Sequence, residues 1–104
     1  MLFGIIIKKG KTEPAAGKTP NLVLSDDACA VIYDDKEHKI FLWVGENADI
    51  KSRFLASRLA TIIRNRKFGG AASIIQNNDV IKAELGGTKV IAHDIPPKYL
   101  AGIR

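Results

Sequence analysis

The side chains most often used in catalysis are few in this chain and are not grouped in catalytic patterns. The sequence has one cysteine, Cys29, and two histidines, His38 and His93. His93 and Asp94 are neighbours, but adjacent residues of a strand point to opposite faces of a sheet. Cys29 lies within an apolar run, where a cysteine packs as a small hydrophobe with an inert thiol. The pattern therefore predicts a protein that is not an enzyme.

The segment Gly17-Lys18-Thr19 is similar to the end of a phosphate-binding loop. Such a loop requires another glycine five residues before Gly17, and Thr12 occupies that position. Pro20 and a strand-like LVL segment follow, whereas phosphate binding needs the N-terminus of a helix there. Nucleotide hydrolysis is therefore not expected.

Two acidic pairs, Asp26-Asp27 and Asp34-Asp35, lie in turn-like segments whose oxygens could bind calcium. Their spacing is not that of an EF-hand loop, which places ligands at alternate positions and closes with a glutamate. Taken alone, the acidic pairs fit solvated turns better than a metal site.

Charge is segregated along the chain, whose net charge is +5. Residues 26–49 contain seven acids and two lysines, whereas residues 51–67 contain six basic residues and no acid. The basic segment fits either a solvated helix face or a surface for an acidic protein, an anionic lipid or nucleic acid. Nucleic acid fits least, because only Phe54 and Phe68 accompany these charges and they form no evident stacking platform.

Length and composition predict one domain spanning residues 1–104. Hydrophobic residues make up 46% of the chain, which excludes wholesale disorder. The longest apolar run, residues 2–7, is too short to span a membrane, and no basic region precedes it as in a signal peptide. We therefore expect a soluble, cytoplasmic protein.

Local patterns predict an α+β domain. Apolar runs predict strands at residues 2–7, 21–25, 28–33, 39–44, 71–75 and 89–92. Residues 9–20 are expected to form a loop, and residues 28–44 an antiparallel hairpin. Asp49 is a good N-cap for a long helix that reaches Lys67 and ends at Gly69-Gly70. A short helix is predicted between Asn77 and Gly86-Gly87, and a tail without regular structure over residues 96–104.

The long helix has two apolar stripes. Its predicted core stripe, at helical spacing, consists of Leu55, Leu59, Ile62 and Ile63. A second stripe on the other side consists of Ile50, Phe54, Arg58, Thr61 and Asn65, with Ile62 on the border between the two. The core does not require Ile50 or Phe54, so these residues could insert into the groove of a partner. The alternative is contact with a loop of the same domain.

The ordered set of segments resembles a gelsolin/villin-type repeat. The matching segments are residues 27–33 (DACAVIY), residues 39–45 (KIFLWVG) and the long helix that follows a loop. The first strand and the helix exit toward Gly69-Gly70 are similar as well. The resemblance covers residues 2–87, and Trp43-Val44-Gly45 is its most specific part. An unrelated α+β domain with a strand, a turn and a helix is the other interpretation.

The resemblance implies a gelsolin-like mixed β-sheet sandwiched between one long and one short helix. It also implies a cytoskeletal function: actin binding through the long helix, with regulation of actin polymerisation. The implied actin-binding residues are those of the second stripe together with Ile62. Because severing a filament needs at least two contacts, one domain would sequester monomers or cap filament ends.

In this family an intradomain calcium site uses a strand-opening Asp, a neighbouring carbonyl and a Glu in the first turn of the long helix. Asp27 and the carbonyl of Asp26 match the first two, whereas Ser52 stands at the Glu position. A second, actin-shared calcium site uses acids where this chain has Arg64 and Asn65. We therefore expect weak or absent regulation by calcium and no required cofactor, with weak calcium binding at Asp26 and Asp27 left open.

A second function remains open, namely a membrane-surface or trafficking module. In that case Lys8, Lys9, Lys11 and Lys18 would join the basic helix in binding anionic, phosphoinositide-type lipids. The two functions differ in their dependence on salt and on Phe54.

Overall fold

The structure is a computed structural model that describes residues 1–86 and 90–103. Its strands are β1 (Leu2–Lys8), β2 (Lys11–Pro14), β3 (Cys29–Asp34), β4 (Lys39–Val44), β5 (Ser73–Ile75) and β6 (His93–Asp94). Its helices are α1 (Pro20–Val23), α2 (Ile50–Arg66), α3 (Asn78–Leu85) and α4 (Pro97–Leu100), and a 3₁₀ helix follows at Ala101–Ile103.

The strands form one mixed sheet in the order β2-β1-β3-β4-β5. β3 pairs antiparallel with both β1 and β4, whereas β5 lies parallel to β4. The outer edge of β1 is shared by two strands, because β2 pairs antiparallel with its second half and β6 pairs parallel with Phe3 and Gly4. The predicted hairpin of β3 and β4 is confirmed, with Cys29 opposite Val44.

Helices cover both faces of the sheet. Successive side chains of each central strand point to opposite sides, so both faces carry apolar residues that a helix must cover. On β3, Val31 and Tyr33 belong to the cluster that packs under α2, whereas Ala30 and Ile32 belong to the cluster under α3. The long α2 thus covers one face and the short α3 the other. This arrangement confirms the predicted α+β class, a mixed sheet between one long and one short helix.

Both ends of α2 form as the sequence predicts. The Asp49 carboxylate caps the helix by accepting a hydrogen bond from the Ser52 amide at 3.0 Å. At the other end Gly69 and Gly70 take positive φ angles of 58° and 86°, and the Gly70 amide returns to the Arg64 carbonyl at 2.8 Å. The helix therefore has fixed limits at each end.

Three predictions between and beyond the central strands are wrong. Residues 9–20 are not a loop throughout, because β2 pairs with the free edge of β1. Residues 21–25 do not form a strand, since Pro20 opens the helix α1 after Thr19. The helix after Thr19 removes one argument against a phosphate loop, but Thr12 still replaces the required glycine, and α1 has only four residues. Of the predicted strand at 89–92, residue 89 lies outside the described ranges, and pairing begins only at His93.

The prediction of a tail without regular structure is wrong for residues 97–103. α4 and the 3₁₀ helix pack against α2, and Tyr99, Leu100 and Ile103 are buried in the cluster beneath it. In the ranges 1–86 and 90–103, no helix has the length and apolar character needed to cross a membrane.

Candidate interaction face on the long helix

One side of α2 forms the core and the opposite side faces solvent. The buried residues of α2 are Ser52, Ala56, Leu59, Ala60 and Ile63. At 100° per residue, Phe54 lies about 180° from Ile63 and therefore points away from the sheet. The prediction that Leu59 and Ile63 face the core is confirmed. Leu55 and Ile62 are half-buried and pack against the core cluster from its border.

Two large apolar side chains, Ile50 and Phe54, stand one turn apart on the outer side of α2, and we call them the apolar pair. Their side chains are 73% and 72% exposed. No loop of the described chain covers them. The alternative, that these residues contact a loop of the same domain, is therefore wrong. The fold leaves the apolar pair available to a partner.

The outer side continues with three exposed polar residues, Arg58, Thr61 and Asn65. The apolar pair and these three residues together make up what we call the α2 face. The Thr61 hydroxyl donates to the carbonyl of Ser57 at 3.2 Å, within the same helix. No acidic residue occurs anywhere in α2, so the face combines an apolar end with a basic and polar continuation.

Ile62, which the sequence placed on the border, is half-buried and packs against the core cluster. A Cβ at Gly102 would lie 2.7 Å from Cδ1 of Ile62, so the 3₁₀ helix runs directly over this side chain. Ile62 supports the flank of α2 beneath the C-terminal segment.

A shallow groove of about 310 Å³ extends from Phe54 toward the sheet. Its lining consists of Leu42, Val44, Arg53, Phe54, Ser57 and Gln76. Arg53 is fixed in place, since its guanidinium donates to the carbonyls of Ala48 at 3.0 Å and Glu46 at 3.1 Å. Apart from Phe54, the groove residues are missing from the sequence prediction. The helical period places Ser57 beside Phe54, but the strand residues beneath them depend on tertiary packing.

Comparison with known proteins bears on the fold. No protein-family model matches the chain, and no curated protein matches it in sequence. The structure is similar to one described as the crystal structure of the Thorarchaeota ProGel/rabbit actin complex, with a TM-score of 0.62 and 18% sequence identity. The match covers 83% of this chain and 100% of the other chain. The chain has a gelsolin-like fold.

The N-terminus of α2 in this gelsolin-like fold is held by the turn between β1 and β2. The Ser52 hydroxyl, fully buried, donates to Oδ1 of Asp49 at 2.7 Å and accepts from the amide of Gly10 at 2.9 Å. Oδ1 of Asp49 also accepts from the amide of Lys9 at 3.1 Å. Hydrogen bonds from Ser52 lower the pKa of the Asp49 carboxyl, so the cap is ionised at neutral pH.

The predicted metal residues, Asp26 and Asp27, lie in the turn before β3, and other groups already engage them. Oδ2 of Asp27 is 2.9 Å from Nζ of Lys8, and Oδ1 of Asp27 accepts from the Ser25 hydroxyl at 2.9 Å. The hydrogen bond from Lys8 is the main cause that lowers the pKa of Asp27. The Asp26 carbonyl accepts from the amide of Asn47 at 2.7 Å.

These groups do not fit a calcium ion. Calcium needs six to eight oxygen ligands, several of them carboxylates. Among the described residues, no group of three or more Asp, Glu, His or Cys side chains could hold a metal. Ser52 contributes a neutral hydroxyl, and Arg64 and Asn65 further along α2 supply no carboxylate.

The basic residues proposed for lipid binding fall into two groups. Lys8 is half-buried and paired with Asp27, whereas Lys9, Lys11 and Lys18 are exposed. Lys11 lines a shallow pocket with Lys51 and Leu55 of α2, near Ile103. Lys9 in the turn between β1 and β2 and Lys11 at the start of β2 thus place two exposed cations beside the helix.

Cys29 lies on β3 within the core and is completely buried. Burial raises the pKa of its thiol, so the nucleophilic thiolate is disfavoured at neutral pH. This agrees with the structural role that the sequence predicts for Cys29.

Proposed function

We propose that this chain is a cytoplasmic, non-catalytic actin-binding domain that contacts actin through the α2 face. The observation that carries the proposal is the exposure of Ile50 and Phe54 on a helix whose other side is fully used by the core. A gelsolin-like fold and the presence of actin in the solved complex of ProGel support actin as the partner.

The apolar pair supplies the anchor of the proposed contact. An aromatic side chain that inserts into a partner's pocket commonly dominates the binding free energy of an interface. Phe54 is placed for this role, because one of its sides is free and the other borders the groove above Leu42 and Val44. A cleft that accepts the helix would bury both members of the pair together.

The positive charge of α2 favours a partner whose cleft is surrounded by acidic residues. Within residues 1–86 and 90–103, no ion pair involves a residue of α2. Arg58 is therefore free to meet acidic residues around the partner's cleft. Charges at such a rim chiefly raise the association rate and set orientation.

The mode of action follows from the number of contacts. The described residues offer one such apolar face per chain, which would engage one actin subunit at a time. We therefore propose that the domain sequesters monomers or caps filament ends and so slows assembly.

Polymerisation of pyrene-labelled actin with increasing amounts of this protein tests the proposal. We expect slower assembly with the wild-type chain, and restored assembly with Phe54→Ala. Leu22→Ala is the matched control, since Leu22 is equally exposed, at 70%, but lies on α1. Wild-type protein that leaves assembly unchanged would contradict the proposal.

Binding to anionic lipid is the alternative function, and the exposed Lys9 and Lys11 beside Lys51 favour it. Liposomes that contain phosphoinositide would then pellet the protein at low salt and release it at high salt, since such contacts are screened. Phe54→Ala would leave this binding intact, so the same variant separates the two functions.

A further inference from the structure

The turn between β1 and β2 contacts two segments that the family resemblance associates with calcium. Three consecutive residues make these contacts. The Lys8 ammonium reaches Asp27 ahead of β3, the Lys9 amide reaches Asp49, and the Gly10 amide reaches Ser52. The turn thereby joins the start of β3 to the first turn of α2.

The backbone of this turn is shaped for these contacts. Lys9 and Gly10 both have positive φ angles, 52° and 73°, which point their consecutive amides toward the helix. A Cβ at Gly10 would lie 2.7 Å from Cδ of Lys51, so the turn sits directly against α2. A non-glycine residue at this position would have to displace the Lys51 side chain.

We propose that the chain's own groups take the place of a calcium ion here: the Lys8 ammonium supplies the positive charge at Asp27, and the Lys9 and Gly10 amides secure Asp49 and Ser52. No calcium binds at this position, and α2 is held identically in the presence and absence of calcium.

The hydrogen bonds and the ion pair around Asp27 and Asp49 leave few carboxylate lone pairs available to a cation. Both carboxylate oxygens of Asp27 are engaged, one by Lys8 and one by Ser25. Both oxygens of Asp49 are engaged as well, by the amides of Lys9 and Ser52 and by the Ser52 hydroxyl. A calcium ion would have to break these contacts and displace the Lys8 ammonium from Asp27.

Ser52 is the residue that makes the internal link complete. Its hydroxyl is buried and both donates and accepts, so it connects the helix cap to the turn. A Glu side chain is longer and charged, and it could not occupy the same buried position between Asp49 and Gly10 without moving the turn away.

The consequence for function rests on the proposed actin binding. If the α2 face binds actin, its orientation does not depend on calcium, and actin binding should be equal in EGTA and in calcium. The structural claim itself is tested without actin, so its failure is distinguishable from failure of the proposed function.

Thermal unfolding of the wild-type chain in EGTA and in about 1 mM calcium chloride is the first test. A site with a Kd of about 10 µM would raise the Tm by more than roughly 10 °C under these conditions. We expect no such rise. A rise of this size that Asp27→Asn abolishes would overturn the proposal.

The second test removes the internal link. Ser52→Ala leaves the Gly10 amide without its acceptor, and we expect the Tm to fall by about 4–8 °C, equally in EGTA and in calcium. Ser57→Ala is the matched control on the same helix, because Ser57 is exposed, and it should change the Tm by less than about 2 °C. Equal melting of the Ser52 and Ser57 variants would overturn the proposal, since Ser52 would then hold nothing in place.

Discussion

At the scale of single residues, α2 separates side chains that hold the fold from those available to a partner. Leu59 is fully buried and Phe54 is 72% exposed, although both are large and apolar. Hydrophobicity alone does not distinguish them. The distinction comes from the helical period, which turns one toward the sheet and the other toward solvent.

Alanine at these two positions should therefore act on different properties. Leu59→Ala should lower the free energy of unfolding by about 2–5 kcal/mol, because it leaves a cavity in the core. Phe54→Ala should change it by less than about 0.5 kcal/mol, because little of the ring is buried. Urea denaturation followed by circular dichroism measures both. A strongly destabilised Phe54 variant would show that the ring packs against the fold and is not free.

Gly45, which ends the Trp43-Val44-Gly45 motif, is required by a close approach of backbone. A Cβ at this position would lie 2.5–2.6 Å from the carbonyl oxygens of Ser25, Asp26 and Ala28. Those oxygens also accept hydrogen bonds from the Trp43 indole, from Asn47 and from Gly45 itself. The motif is therefore specific because strand β4 and the turn before β3 meet without room for a side chain.

Gly45→Ala should consequently destabilise the fold by at least about 2 kcal/mol, since the backbone of the turn must move. Gly17→Ala is the comparison. Gly17 has a φ of 83° but open space around it, so alanine there should cost only about 1 kcal/mol of backbone strain. Thermal melting of the two variants in parallel checks that Gly45→Ala is the more destabilising. Equal losses of stability would contradict this prediction.

At the scale of elements, the C-terminal segment is part of the layer that contains α2. Tyr99, Leu100 and Ile103 are each less than 10% exposed, and the 3₁₀ helix covers Ile62. The segment thus covers one flank of α2 and leaves the apolar pair and the groove uncovered. This packing limits the candidate contact to the outer side of the helix and the side nearer β4.

Shortening the Ile103 side chain should reveal how much the C-terminal segment stabilises the fold. Ile103→Ala is expected to lower the free energy of unfolding by about 2–4 kcal/mol, because it removes a buried aliphatic side chain of the C-terminal segment from the core. Lys98→Ala, an exposed position on the adjoining helix, should have little effect. The difference between the two in urea denaturation is the test. If the two variants unfold together, the segment does not stabilise α2.

Sequence patterns predict some elements of this fold and not others, for physical reasons. β3, β4 and α2 are predictable, because their apolar periods are local and Asp49 and Gly69 mark the helix limits. β2, with the polar sequence KTEP, and the two-residue β6 are not, since their strand conformation comes from pairing with β1. For α1, the proline at its first position outweighs the apolar LVL segment that suggests a strand.

The candidate site is also predictable from the sequence only in part. The exposed members of the α2 face follow from the helical period, and Ile50 and Phe54 are identifiable because the core does not need them. The groove floor depends on tertiary packing of α2 over β4, which no local pattern contains. The small residues Ala56 and Ala60 are fully buried in the core cluster, whereas Leu55 and Ile62 pack against it from the border.

At the scale of the whole molecule, the distribution of charge bears on how the domain meets a partner. The net charge is +5, and α2 contains basic residues but no acid. The α2 face therefore carries a local positive field beside its apolar pair. Such fields speed the approach of an acidic surface and are weakened by salt.

Reversing one charge on the face should change the rate of association. Arg58→Glu is expected to slow association with monomeric actin and to reduce its dependence on salt, while the dissociation rate changes less. Lys18→Glu is the control with the same change of net charge at an exposed position away from α2. Stopped-flow measurements at low and moderate salt distinguish the two variants. Equal slowing by both would show that net charge, and not the face, governs the encounter.

The proposed function requires the apolar pair of α2 to bind actin, and the affinity for monomeric actin measures that contact. We would measure the Kd of wild-type protein, Phe54→Ala and Leu22→Ala by titration against labelled monomeric actin. We expect measurable wild-type binding, a Kd about 30-fold weaker for Phe54→Ala because an aromatic anchor is lost, and no change for Leu22→Ala. Wild-type binding that Phe54→Ala leaves unaltered, or no wild-type binding at all, would show that the apolar pair does not bind actin.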